Sequence, residues 1–233
     1  MNKVQSVPTA ARTYLPAAGR DVFLPFYDSV TGLLGADRVR AVLLDYAELR
    51  DSDKVLDIGC GTGTLAVLLK QRHPGVEVTG LDPDPKALAR AQRKAERARV
   101  RVRFEQGFAD EIKHSAASFD VVVSSFMFHH LEPDQKAGTL REIRRVLKPG
   151  GRLLLVDFDV TEAGAHHGFQ RMFHSHARLS DNSEGRILEL MKAAGFQDAA
   201  RAGARSLILG LARAGYYRAV APEWELDRTA FSG

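Results

Sequence analysis

The sequence predicts an α/β fold in which helices cover both faces of a mostly parallel sheet. Three observations predict it. Between residues 54 and 158, apolar runs of strand length alternate with segments whose apolar residues have helical spacing. The run FDVVVS, at 119–124, centres on three valines and is typical of a strand buried on both faces of a parallel sheet. The stretch VLDIGCGTGTLA, at 55–66, places a glycine-rich turn between a strand and a helix.

The first fifty residues are expected to form a helical cap in front of a domain that spans 51–233. Residues 21–34 are rich in apolar and aromatic side chains and predict one or two short helices. Residues 37–49 carry apolar side chains at helical spacing and predict a helix with Asp37 as its N-cap.

The remaining elements follow from periodicity and from the residues that break it. The segments His73-Pro74-Gly75 and Lys148-Pro149-Gly150-Gly151 are each expected to end a helix. The last two strands are separated only by a short turn, which predicts an antiparallel pair at the sheet edge. The predicted strands are 54–58, 76–81, 100–105, 119–124, 152–158, 196–203 and about 207–220, and the predicted helices are 64–72, 85–98, 134–147 and 183–194.

The composition argues against a membrane span, a disulfide framework and a nucleic-acid surface. None of the apolar runs in the 233 residues approaches the roughly 18 residues that a membrane span needs. Cys60 is the only cysteine, so no intrachain disulfide can form, which suits a reducing cytoplasm, the expected location. The net charge is +4, and the dense basic run at 90–103 has no interleaved aromatic residues. This pattern favours a solvated helix face over nucleic-acid binding.

The glycine-rich turn and two nearby acids narrow the class of ligand. Such a turn directs backbone N–H groups at a nucleotide-like molecule. Gly59 and Gly61 fit the dinucleotide pattern, but its third position holds Thr64, and no Gly-Lys-Ser/Thr follows for a phosphate loop. Asp57 places an anion beside the turn, which disfavours a pyrophosphate and favours a ligand with a positive group, such as S-adenosylmethionine. Asp82, at the end of the second strand, offers two acceptor oxygens to two ribose hydroxyls.

Four segments carry a resemblance to a known family. They are VLDIGCGTGTLA (55–66), VTGLDPDPKAL (78–88), SFDVVVSSFMFHHL (118–131) and LREIRRVLKPGGRLLLVDF (140–158). In this order and spacing they resemble the class I S-adenosylmethionine-dependent methyltransferases, in the small-molecule (type 11, quinone-methyltransferase-like) branch. The resemblance implies a Rossmann-like, doubly wound sheet of seven strands with an antiparallel C-terminal hairpin. It also implies S-adenosylmethionine as cofactor and in-line methyl transfer to a small molecule.

The resemblance also implies roles for matching residues. Asp57 and the three glycines of the turn would hold the methionine end, although Asp57 could instead cap the N–H groups of its own turn. Asp82 would bind the ribose and Pro83 would flank the adenine. A backbone carbonyl at Ser124 or Ser125 would face the ammonium group.

The adenine end departs from the family pattern. Phe108 stands where the family usually has an acid for the adenine amino group, and Asp110 follows two positions later. A backbone N–H at Ala109 can still face the ring. The expected cofactor-binding residues are Asp57, Gly59, Cys60, Gly61, Gly63, Asp82, Pro83, Phe108, Ala109, Ser124 and Ser125.

His129 and His130, just beyond the fourth predicted strand, are the candidates for a catalytic base. Open α/β sheets bind ligands at the carboxyl ends of their strands, and histidine titrates near neutral pH. His129 is slightly preferred, and its replacement by alanine is expected to lower turnover by about tenfold or more without changing cofactor affinity. The alternative is that one histidine of the pair only caps the following helix.

Aromatic residues outside the predicted sheet are the candidates for the acceptor pocket. Tyr14, Tyr27 and Phe173 are expected to line it, with ordinary core packing as the alternative for the N-terminal aromatics. The segment HHGFQRMFHSH, at 166–176, groups four histidines, but no cysteine or acid lies among them and no metal is expected.

Three other functions remain open at this point. A nucleic-acid methyltransferase usually carries an Asp/Asn-Pro-Pro-Tyr step where this chain has Ser124-Ser125-Phe126-Met127. A nicotinamide-dependent oxidoreductase is disfavoured by Asp57 and Thr64. A non-enzymatic protein that binds the cofactor is the third. Neither the oligomeric state nor the acceptor atom follows from the sequence.

Overall fold

The structure, a computed structural model, describes residues 35–159, 184–207 and 212–223 of the chain. The larger part of the expected cap lies outside these ranges, so the domain division at residue 50 stays a prediction. The described helices are α1 (Ala36–Ala47), α2 (Thr64–Arg72), α3 (Pro85–Ala98), α4 (Pro133–Val146) and α5 (Glu184–Ala193), and the strands are β1 (Lys54–Ile58), β2 (Glu77–Asp82), β3 (Arg103–Gln106), β4 (Phe119–Ser125), β5 (Leu147–Phe158), β6 (Gln197–Leu207) and β7 (Ala212–Val220).

The seven described strands form one sheet in the order β3-β2-β1-β4-β5-β7-β6. β1 pairs in parallel with β2 and β4, and the pairs β2–β3 and β4–β5 are also parallel. β7 runs antiparallel to both β5 and β6. The predicted doubly wound, mostly parallel sheet of seven strands with an antiparallel C-terminal hairpin is therefore confirmed.

Side chains of the central strands alternate between two apolar cores on opposite faces of the sheet. Val55 on β1 and Val121 and Val123 on β4 belong to the core that includes α1 and α2. Leu56 on β1 and Val122 on β4 belong to the core that includes α4 and α5. Each fully buried side chain of this size contributes about 1.5–3 kcal/mol, so the strand alternation holds a helical layer on each face.

The start of α1 differs from the sequence expectation. Gly35, at φ 90°, adopts the left-handed conformation and occupies the N-cap position, so the helix begins at Ala36. Asp37, the expected N-cap, lies in the first turn and pairs with the guanidinium of Arg40 at 3.1 Å. The prediction for Asp37 is wrong because the glycine before it reverses the chain two residues earlier.

The start of β5 also differs from the expectation. The segment Lys148-Pro149-Gly150-Gly151 lies inside the strand, which begins at Leu147 directly after α4. The pairing between β4 and β5 shifts between Phe119 and Val121, and this irregularity accommodates the additional residues. The break signal in the sequence therefore marks a kinked strand start rather than a loop.

The strand order reverses beside β1, and this feature places the site. The chain moves outward from β1 to β2 and β3, then returns to lay β4 on the other side of β1. Open α/β sheets bind ligands in the crevice at such a reversal, outside the carboxyl ends of the strands. The turns after β1 and β4 meet at this crevice.

Candidate active site

A cavity of about 430 Å³ opens at the reversal point. Its walls come from the turns after β1, β2, β3 and β4, the first turn of α4, and one side chain of α1. A cavity of this size is within the range of sites for small molecules and cofactors.

The turn after β1 forms one wall through backbone atoms. Gly59, Gly61 and Gly63 have φ angles of 67°, 53° and 76°, so the backbone of this turn is left-handed at every second residue. The N–H of Gly59 donates to the carbonyl of Leu81 at 2.8 Å, which ties the turn to β2. Gly63 then forms the N-cap of α2. The N–H groups of Cys60 and Gly63 also donate to backbone carbonyls, so hydrogen bonds within the protein hold the turn in place beside the cavity.

Asp57 lies beneath this turn and is only 1% exposed. Neither of its carboxylate oxygens has a partner with hydrogen-bond distance and angle among the described residues, and the backbone N–H of Ala66 is the nearby donor. Burial raises its pKa to about 7, although the positive charge of Arg40 and the N–H of Ala66 act in the opposite direction. A buried carboxylate without a hydrogen bond is costly, and a bound cation or ammonium group relieves that cost.

Asp82, at the end of β2, is held by two backbone donors. Its Oδ2 accepts from the N–H of Gly61 at 2.8 Å and its Oδ1 accepts from the N–H of Asp84 at 2.9 Å. Burial raises its pKa, and these two N–H groups act in the opposite direction. Each oxygen keeps a second acceptor position, so the carboxylate can take a pair of vicinal hydroxyls from the cavity.

Arg40 is a wall residue that sequence reasoning missed. It lies on the buried face of α1 and reaches the end of β4, where its Nε approaches the Ser125 hydroxyl at 3.4 Å. Its guanidinium also lies 5.8 Å from the centre of the Phe126 ring. The sequence did contain an indication of this role, because Arg40 lies among the apolar positions of a predicted helix. A buried guanidinium needs an anionic or polar partner.

The two predicted histidines occupy different environments. Both lie in a short 3-10 turn, Phe128–His130, that follows β4. His130 is on the cavity wall. His129 is 6% exposed and its Nδ1 lies 2.6 Å from Oδ1 of Asp157, which is fully buried on β5. His130 is thus the histidine that a molecule in the cavity can touch.

The structure gathers most of the predicted site residues. Asp57, Gly63, Ser124 and His129 lie behind the wall. Tyr14, Tyr27 and Phe173, like the histidine-rich segment at 166–176, fall outside the described residues. The predicted residues that line the cavity are Gly59, Cys60, Gly61, Asp82, Pro83, Phe108, Ala109, Ser125 and His130.

Further wall residues come from positions without a motif. Asp110 lies on the wall beside Phe108 and Ala109, on the side where the family pattern is broken. Apolar surface comes from Phe126, Met127 and Leu131, which follow β4 and could be recognised in sequence only as part of an apolar run.

A second and more open cavity, of about 800 Å³, lies at the opposite edge of the sheet. Its polar wall residues include Lys148, whose Nζ is 2.6 Å from Oδ1 of Asp120, and His114, whose Nε2 is 2.8 Å from Oε2 of Glu105. It faces the amino ends of the strands, away from the reversal point, so we place the chemistry in the smaller cavity.

Two other kinds of site are absent from the described ranges. No group of three or more His, Cys, Asp or Glu side chains there is arranged to hold a metal ion. No helix within 35–159, 184–207 or 212–223 has the length and hydropathy to cross a membrane.

Comparison with known proteins adds independent information. A family model described as "Methyltransferase domain" matches residues 55–151. The chain is 42% identical over 144 residues to the demethylmenaquinone methyltransferase of Thermus thermophilus, an alignment that covers 60% of this chain and 64% of that protein. It is 34% identical over 212 residues to the demethylmenaquinone methyltransferase of Deinococcus radiodurans, covering 81% of this chain and 86% of the relative. The chain thus spans just under two thirds of the first relative and most of the second.

Solved structures show the same fold. The YcgJ protein of Bacillus subtilis superposes with a TM-score of 0.66 at 22% identity, covering 79% of this chain and 98% of that one. The cyclase SpnF superposes with a TM-score of 0.72 at 19% identity, covering 91% and 98%. Since the second name denotes a cyclase, the fold by itself does not determine the reaction.

Proposed function

The chain belongs to the class I S-adenosylmethionine-dependent methyltransferases, and we propose that its acceptor is a reduced, quinone-type ring. The similarity to the Deinococcus demethylmenaquinone methyltransferase, which extends over most of both chains, carries this proposal. The apolar part of the cavity wall, formed by Phe126, Met127 and Leu131, supports a flat and apolar acceptor. We also propose a cytoplasmic location, which the single cysteine of the chain supports.

The cavity fits the cofactor in its charge pattern. S-adenosylmethionine supplies a methyl group that is activated by a sulfonium. We infer that Asp57 attracts the positive methionine end, because its buried oxygens have no hydrogen-bond partner among the described residues. We assign the ribose hydroxyls to Asp82 and the adenine to the wall of Pro83, Phe108 and Ala109. We assign the adenine edge to Asp110, which is on the same wall, and to a backbone N–H.

In the proposed reaction, the protein aligns the reacting atoms and removes a proton from the acceptor. Alignment of the reacting atoms can supply roughly 7–11 kcal/mol of the barrier. In the proposed reaction, a ring carbon–methyl bond forms as the carbon–sulfur bond breaks, and the ring carbon then loses its proton. We assign that proton, or the proton of the adjacent ring hydroxyl, to His130 on the cavity wall. S-adenosylhomocysteine and the methylated ring are the products.

Two measurements test the proposal. Calorimetry should detect binding of S-adenosylmethionine and S-adenosylhomocysteine, and no binding of NAD. Incubation with dithionite-reduced naphthoquinones that lack the ring methyl group should release S-adenosylhomocysteine and yield a product heavier by one methylene. Binding of NAD without binding of S-adenosylmethionine would contradict the methyltransferase function. Release of S-adenosylhomocysteine with other nucleophiles but not with quinols would contradict the proposed acceptor.

Replacing His130 with alanine should lower kcat by about 10²-fold or more, the usual range for a general base. The affinity for S-adenosylmethionine should stay within about twofold of the native value, because the proposed cofactor contacts lie on other turns. His114→Ala is the matched control, since His114 borders the opposite cavity. A His130→Ala enzyme with native kcat would remove this residue from the mechanism.

A further inference from the structure

We propose that Asp157 is a positioning residue: its carboxylate fixes the imidazole of His129, which in turn sets the orientation of His130. The inference rests on the proposed function, in which His130 accepts a proton from the acceptor. Asp157 itself does not line the cavity, and it acts only through the two rings between its carboxylate and the cavity.

Asp157 holds the turn after β4 at two points. Its Oδ2 accepts from the backbone N–H of His129 at 3.0 Å, and its Oδ1 lies 2.6 Å from Nδ1 of the same residue. The backbone N–H of Phe158 donates to the same Oδ1 at 2.7 Å. The carboxylate is fully buried and fixed by these three contacts, so it has one available orientation.

This clamp determines the state of the His129 ring. Nδ1 must carry a hydrogen to donate to the carboxylate, whether the ring is neutral or positively charged. Burial raises the pKa of Asp157, but the charge and hydrogen bond of His129 and two backbone N–H groups lower it below its ordinary value. Asp157 therefore stays a carboxylate that accepts from Nδ1 of His129, and this contact fixes the orientation of the ring.

The His129 ring passes this arrangement to His130. The centres of the His129 and His130 rings are 4.0 Å apart at an interplanar angle of 39°. The centres of the His129 and Phe158 rings are 5.0 Å apart in an edge-to-face arrangement. A fixed His129 ring at this distance limits the orientations that the neighbouring His130 ring can adopt.

Other charged groups lie near the same turn. Lys136 on α4 lies 5.6 Å from the centre of the Phe128 ring. Glu132 and Arg40 share the cavity wall with His130. Asp157 contacts His129 both at the ring and at the backbone N–H.

The Asp157→Asn variant tests the inference, because asparagine keeps the size and can still accept from the His129 backbone. We expect kcat to fall at least about tenfold at each pH of the kcat–pH profile, because the His130 ring loses the orientation that the fixed His129 ring gives it. Affinity for S-adenosylmethionine should not change. Glu105→Gln removes the carboxylate of the other histidine pair, at His114, and should leave the profile unchanged.

A second measurement holds even if the variant folds poorly or no quinol is methylated. Ring nitrogen resonances of the unliganded native protein, assigned with His129→Gln and His130→Gln, should show the hydrogen of His129 on Nδ1, and the His130 resonances should shift in the Asp157→Asn protein. A His129 hydrogen on Nε2 alone, or unshifted His130 resonances, would overturn the inference, as would an unchanged pH profile in a folded Asp157→Asn enzyme. Loss of cofactor binding in that variant would make Asp157 a purely structural residue. Failure of every quinol, with the expected tautomer and resonance shift, would overturn the acceptor proposal alone.

Discussion

Replacing Asp57 with asparagine should weaken S-adenosylmethionine binding by about a hundredfold or more and, at the same time, stabilise the unliganded protein. Both effects come from one buried carboxylate that has no hydrogen-bond partner among the described residues. In the proposed complex, its negative charge attracts the methionine end of the cofactor. Without cofactor, the same charge is desolvated beneath the glycine turn, and removing it relieves the fold. The loss of two charge-assisted contacts of about 1.5–3 kcal/mol each accounts for the expected loss of affinity.

The pH dependence of the native protein follows from the same carboxylate. Burial raises the pKa of Asp57 from 3.8 to about 7, so the folded protein binds a proton between these values that the unfolded chain has released. Its contribution to the free energy of unfolding therefore falls as the pH rises from about 4 to about 7, by on the order of 4 kcal/mol in total. Cofactor affinity should change in the opposite direction, because protonation below pH 7 neutralises the binding group.

Thermal unfolding and calorimetry between pH 5 and 8 check this prediction. The advantage of Asp57→Asn should be greatest at about pH 7 and above, and we expect about 1–2 kcal/mol net, since the attraction to Arg40 is also lost. Asp53→Asn is the contrasting control. Asp53 accepts from Arg152 at 3.0 Å and from the backbone N–H of Arg50, so its substitution should destabilise the fold without changing cofactor affinity. A destabilised Asp57→Asn protein would contradict our interpretation.

The fold could be predicted because its signals are local. Strand alternation at Val55 and Leu56, and the apolar run of β4, need only a few consecutive residues to be recognised. The glycine turn and Asp82 were likewise recognisable, since each lies at a fixed distance from a strand end. Asp37 was misassigned because an N-cap depends on backbone geometry, and Gly35 supplied that geometry first.

The contacts that distinguish the site are distant in sequence. Arg40 reaches Ser125, which is 85 positions away, and His129 pairs with Asp157, which is 28 positions away. Sequence periodicity predicts on which face of a helix or strand a residue lies, but not which side chain of another element it contacts. The adjacent histidines therefore looked equivalent in sequence, while the structure separates them into one ring on the cavity wall and one ring behind it.

Gly59 should tolerate no side chain, and its replacement by alanine is expected to lower the free energy of unfolding by about 2–4 kcal/mol. A Cβ at this position would lie 2.2 Å from Cγ and 2.6 Å from Cβ of Met127, at a φ of +67° that alanine rarely adopts. Met127 can yield only by moving the turn that follows it, since its carbonyl accepts from the N–H of His130 at 2.9 Å. We therefore expect kcat to fall together with stability, as measured by denaturant unfolding and by methyl transfer.

Gly61→Ala should produce the complementary result. Its φ is +53°, so the backbone strain is similar, but a Cβ there meets no described atom within 4 Å. The loss of stability should be limited to about 1 kcal/mol, while the new methyl group, placed on the cavity wall, should weaken cofactor binding. Met127→Gly in the Gly59→Ala background separates the two causes, because it removes both the Cγ and the Cβ of residue 127 and leaves the strain at residue 59. Recovery of more than about 1 kcal/mol in this double variant would assign most of the loss to packing against Met127, and additive losses would assign it to the backbone.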